Sequence, residues 1–139
     1  YGFGAIAGNY ASGMLTDRTS PFVVLIGAYL LLTVSFTALW CLSLVETASH
    51  VVLAGLLIAG WGAASWSQTP PQQLRLIAAA PNQAPVVIAL NSSAIYAGVG
   101  LGSAVGGATI GHGAQATLAA GLSVAILALA YAIITRRSA

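Results

Sequence analysis

Four long runs without a charged side chain, residues 22–45, 51–73, 86–110 and 114–135, make up most of this sequence. A bilayer core takes roughly 20 residues of helix to cross, and each run is long enough. The charges stand at the ends of the runs. Arg18 precedes the first, Arg75 follows the second, and Arg136 and Arg137 follow the fourth, whereas Glu46 falls in the short gap between the first and second. Threading the runs through a membrane in turn puts the arginines on one face and Glu46 on the other. Arg and Lys accumulate on the cytoplasmic side of membrane proteins. The sequence therefore predicts a multi-pass protein of the inner (plasma) membrane with a cytoplasmic C-terminus.

Composition agrees. Charged residues are 4% of the chain and hydrophobic residues 58%, against about one quarter charged in a soluble domain. Lipid must cover most of such a surface. Runs this long also exclude barrel strands, so the fold class is all-α and membrane-integral. The net charge of +2 comes from arginines at helix ends, where it suits anionic headgroups. No basic cluster interleaved with aromatics points to a nucleic-acid partner. Cys41 is the one cysteine and sits inside an apolar run, so it reads as a small hydrophobe. His, Cys and carboxylates do not cluster at ligand spacing, and no metal or cofactor is expected. An intramembrane serine protease needs a Ser and a His at one depth. His50 and His112 both fall in outer loops, so no catalytic residue is assigned and the chain is not expected to be an enzyme.

Along the chain, residues 1–13 are rich in Gly and Ala and too short to cross. They read as the end of a helix whose start lies upstream, which makes the chain a fragment. Residues 14–21 read as a polar turn, 46–50 as an outer loop, 74–85 as an inner connection and 111–113 as a tight outer turn. Pro70 and Pro71 are expected to close the second span. The first and fourth spans carry no strong polar stripe and are expected to face lipid. The second and third carry polar and small residues at helical spacing and are expected to face protein or a cavity.

In the second span, Trp61, Ser65, Gln68 and Gln72 recur at i, i+4, i+7 and i+11, on one face. Polar groups at membrane depth need a partner or water, so this stripe lines an aqueous pathway or bonds to a neighbouring helix. In the third span, Ser92, Tyr96 and Ser103 share one face. Gly98, Gly102 and Gly106 share another, as two overlapping GxxxG motifs that permit close helix packing. Asn91 falls near the glycine face, as helix glue or as a solute contact.

Between residue 13 and the first full span stands Gly13-Met14-Leu15-Thr16-Asp17-Arg18. It resembles the Gly-x-Leu-x-Asp-Arg motif of the major facilitator superfamily, in the weaker copy found between helices eight and nine. Thr19-Ser20-Pro21 replaces the basic cluster that often follows the motif. Gly8 to Arg18 as a whole, Gln72 to Leu76 with Ala80-Pro81, and Leu90-Asn91-Ser92-Ser93 continuing to Gly107 are similar to the arabinose-efflux-permease-like members, of the drug:proton antiporter type. The resemblance covers nearly the whole chain. It implies helices 8–12 of a twelve-helix fold, that is, residues 1–139 as part of the C-terminal six-helix half. It implies a secondary transporter working by alternating access, with proton-coupled efflux of a small organic solute or drug. The partners it implies are the bilayer, the N-terminal half, a small-molecule substrate and protons. Trp61, Ser65, Gln68, Asn91, Ser92 and Tyr96 become candidates for the substrate cavity, and Gly13, Asp17 and Arg18 for conformational control. The spans carry no Asp, Glu, Lys, Arg or His near their middles, so a coupling residue would lie elsewhere. The alternative is a small oligomeric four-helix exporter or structural subunit, but such exporters need a carboxylate in their first span, and none is present.

Overall fold

The computed structural model describes residues 1–45 and 50–135. Glu46 and the tail arginines Arg136 and Arg137 lie outside the described residues. The elements are α1 (Gly2–Arg18), α2 (Pro21–Ser43), α3 (Val51–Ser67), α4 (Thr69–Ala79), one 3-10 turn (Pro81–Gln83), α5 (Ala84–Ile110) and α6 (Ala114–Ile134), with no strand among the described residues. Four helical stretches are long and apolar enough to cross a membrane: Pro21–Ser43, Val51–Ala79, Pro81–Ile110 and Ala114–Ile134. The expected all-α architecture of four full spans and a shorter leading helix is what forms.

Proline sets the boundaries. Pro21 disfavours the helical region at the residue before it, and Ser20 is extended, at φ −62° and ψ 128°. The sequence carries no comparable break before that point. Residues 14–18, expected as a turn, therefore continue α1 as helix. The second correction concerns Pro70 and Pro71. They stand in the first turn of α4, where a missing N–H costs nothing. The span breaks at Gln68 and resumes, and residues 74–79, expected as a connection, are helical through Ala79. Between α5 and α6 the chain turns at Gly113, whose φ of +95° lies in a region that favours glycine.

Two close seams organise the bundle. Gly4, Gly8 and Ser12 of α1 meet Ala59, Ala63 and Ser67 of α3, in parallel and in register. A Cβ added at Gly8 would lie 2.6 Å from Ala63 Cα, so the glycine is what lets the backbones touch. The other seam joins α2 to α6, which run antiparallel. Gln115 Nε2 donates to the Ser43 carbonyl at 3.1 Å, and the Phe36 ring lies over Gly121, 2.6 Å from where its Cβ would stand. Helix α2 is thus held between α3 and α6, with Leu25, Ala28 and Ser35 buried on its inner faces. Its outer face, with Val23, Leu30, Leu31 and Val34, stays exposed, as expected of a span that meets lipid. Its small residues Ala28 and Ser35 make room for neighbours. Helix α5 has no buried residue, because among the described helices it packs chiefly on α4 and α6.

Arg75 stacks over the Phe22 ring at 5.8 Å. That contact places Arg75 at the same end of the bundle as Arg18, and α6 runs toward that end from its start beside Ser43. The grouping of arginines read from the sequence therefore holds for the two that are described.

Candidate functional site

The break at Gln68 positions the polar groups of the second span. Pro71 has no N–H to give the Ser67 carbonyl, four residues back. The Ser12 hydroxyl, buried in the α1–α3 seam, donates to that carbonyl instead. Thr16 Oγ1 in turn donates to the Ser12 carbonyl at 2.7 Å. The end of α1 that carries the Asp17-Arg18 pair is thereby tied to the helix break. Neither Asp17 nor Arg18 forms a side-chain bond among the described residues, and the far side of Gly13 is open.

Just past the break, Gln68, Thr69 and Gln72 approach Tyr29 of α2 and Asn91, Ala94 and Ile95 of α5. Together they line a cavity of about 220 Å³. Gln68 Nε2 donates to the Ser65 carbonyl at 3.0 Å, which leaves its carbonyl oxygen free to accept. Asn91 Nδ2 is buried with no hydrogen-bond partner. The cavity walls bear no charge.

A second, wider groove of about 550 Å³ runs along the outer side of α1. Tyr1, Ile6, Asn9, Tyr10 and Trp66 line it, and Trp66 Nε1 donates to the Tyr1 hydroxyl at 3.2 Å. Tyr10 is 71% exposed there. This groove is aromatic, amide-bearing and uncharged.

The structure divides the candidate residues predicted from sequence. Gln68 and Asn91 meet in the first cavity, with Gln72 from the same stripe. Trp61 does not join them: it packs between Tyr1 and Phe36, at ring distances of 4.9 and 5.6 Å. Ser65 and Ser92 donate to the carbonyls of Trp61 and Ile88 four residues back, so their hydroxyl hydrogens are used within their own helices while each oxygen can still accept. Tyr96 is 75% exposed on α5, away from both cavities. Gly98, Gly102 and Gly106 face open space in this chain, whereas Gly4 and Gly8 lie in the close seam between α1 and α3. Sequence reasoning missed Tyr29, which it assigned to a lipid-facing helix, and the groove residues Asn9, Tyr10 and Trp66. The spacing of Gly4, Gly8 and Ser12 was the available signal for the seam.

Long apolar helices whose outer faces expose Val23, Leu30, Leu31, Val34 and Leu127 define a membrane-embedded helical chain. The sequence is similar to the inner membrane transport protein YdhP of Escherichia coli O157:H7, 37% identical over 112 residues, and to that of strain K12, 36% identical over the same length. Each alignment covers 81% of this chain and 27% of the relative, so the chain spans about a quarter of the length of the curated relatives it matches. No family model and no solved structure matches it.

Proposed function

We propose that this chain forms helices 8–12 of a twelve-helix secondary transporter of the major facilitator type, which moves a small organic solute across the inner membrane. The observation that carries the reading is the 37% identity to an inner membrane transport protein over 81% of the chain. The fold gives it physical sense. Glycine seams let α1 and α3 pack as one unit, and rigid units are what alternating access rocks against each other. The open side of Gly13, and Asp17 and Arg18 without a side-chain bond among the described residues, leave the motif available to the other half of the protein. The uncharged groove along α1, with Asn9, Tyr10 and Trp66, suits a neutral or amphipathic solute facing the central pathway. Efflux coupled to protons is the finer reading. The spans of this chain carry no Asp, Glu, Lys, Arg or His near their middles, so the coupling group belongs to the helices before it, and the C-terminus lies in the cytoplasm.

The test is reconstitution of the complete gene product in liposomes holding a pH gradient, with an internal pH-sensitive dye. A panel of uncharged sugars, nucleosides and amphipathic drugs is added in turn. At least one compound should collapse the gradient in the wild type, and Tyr10→Ala with Trp66→Ala should weaken its apparent affinity. Compound uptake without proton movement would retain the transporter and remove the coupling. No movement of any compound, with correctly inserted protein, would overturn the reading.

A further inference from the structure

The cavity between α2, α4 and α5 is distinct from the groove assigned to the solute pathway, and its chemistry is narrower. Its polar members are Tyr29, Gln68, Thr69, Gln72 and Asn91: hydroxyls and amides, all neutral. A cation would find no carboxylate and an anion no guanidinium among these lining residues. Asn91 Nδ2 is the only buried side-chain polar atom among the described residues that has no partner. A buried donor of this kind carries its full desolvation penalty unless an acceptor reaches it. The nearby proline break does not supply one, because its own needs are met: Ser12 bonds the Ser67 carbonyl and the Gln68 N–H turns to the Trp66 carbonyl. At about 220 Å³ the space has room for roughly seven waters, at about 30 Å³ each. Ala94 and Ile95 give it one apolar wall.

We propose that this cavity is a binding site for a neutral oxygen acceptor, toward which the Asn91 carboxamide, whose Nδ2 is closed off and unpartnered in this structure, turns to donate. Two sources share that chemistry. One is an ordered water cluster beside the helix break, in the kind of water-filled cavity that broken membrane helices line. The other is an uncharged solute bearing a hydroxyl or carbonyl, with its carbon skeleton on Ala94 and Ile95. The inference does not depend on the transport reading, because it concerns occupancy of a half-open site between three helices of this chain.

The experiment uses the complete protein in lipid nanodiscs. Millisecond X-ray hydroxyl-radical footprinting reads oxidation of Tyr29, and thermal melting reads stability with and without xylitol or acetamide as probes. Asn91→Leu removes the donor while keeping a side chain branched at Cγ, and Ala94→Phe fills the cavity while keeping Asn91. Rapid labelling of Tyr29 in the wild type, lost in Ala94→Phe, together with a lower melting temperature in Asn91→Leu, establishes water. A rise in melting temperature with xylitol or acetamide, absent from both variants, establishes a solute. If Asn91→Leu melts higher than wild type, with no Tyr29 labelling and no probe shift, the cavity is dry and the proposal fails. It also fails if Tyr29 labels equally in all three proteins, since the radicals would then arrive from bulk.

Discussion

Gly8→Ala tests the seam on which the bundle rests. The added methyl would lie 2.6 Å from Ala63 Cα and 2.7 Å from its carbonyl carbon. The nearer is roughly 0.8 Å inside ordinary contact, and both atoms are backbone, so no side chain can swing away. The helices must separate, and a gap of roughly 0.5–1 Å forfeits a quarter to a half of each van der Waals well along the seam. Overpacking of this kind costs about 1–3 kcal/mol, while replacing a mid-helix glycine with alanine returns about 0.5–1 kcal/mol. The net loss is on the order of 1–2 kcal/mol, or a few degrees in melting temperature. Gly27→Ala is the control. Its Cβ would meet nothing within 4 Å, so only the helix-forming gain remains. The assay is thermal melting of the complete protein in detergent, followed by size-exclusion fluorescence. If Gly8→Ala melts at or above the wild type, or together with Gly27→Ala, the seam does not carry the load assigned to it.

Three further outcomes follow from the same structure. Ser12→Ala orphans the Ser67 carbonyl and should cost about 1–3 kcal/mol. Pro71→Ala restores an N–H to that carbonyl, so in the double variant the two losses should fall short of additive, whereas strict additivity in melting would refute the link. Asp17→Ala in the complete protein should slow transport while leaving solute binding intact, as measured by flux and by equilibrium binding side by side; normal flux would remove the gating role. Arg75→Gln loses the stacking over Phe22 and should cost about 0.5–1 kcal/mol, read as a small drop in melting temperature that Phe22→Leu reproduces.

The spans were legible in the sequence because length and hydropathy suffice to read them. Expected and observed bounds for the first, third and fourth agree within two residues. What failed were inferences that need a neighbour. Pro70 and Pro71 look like a stop, but proline in the first turn of a new helix is compatible with continuing, and only the path of α4 shows which applies. That Ser65 and Ser92, on the polar faces of two different spans, each give their hydroxyl hydrogen to their own helix is a choice no spacing reveals. Gln68 and Asn91 were legible as polar at depth, but their meeting across α4 and α5, and Tyr29 as their third side, depend on tertiary packing. Two small-residue repeats were present in the sequence. The one in α5 drew notice because it is written in glycine throughout, while the seam that closes within this chain pairs Gly4, Gly8 and Ser12 with alanines and a serine on α3.

The most direct measurement of the central claim is the coding sequence read upstream of the Tyr1 codon. The account predicts an in-frame extension that encodes roughly seven further spans, as a two-halved facilitator requires, with a fuller copy of the Gly-x-Leu-x-Asp-Arg motif and an ionisable residue at membrane depth. A start codon directly before Tyr1 would contradict it, and the bundle would then have to function as an oligomer of five-helix chains.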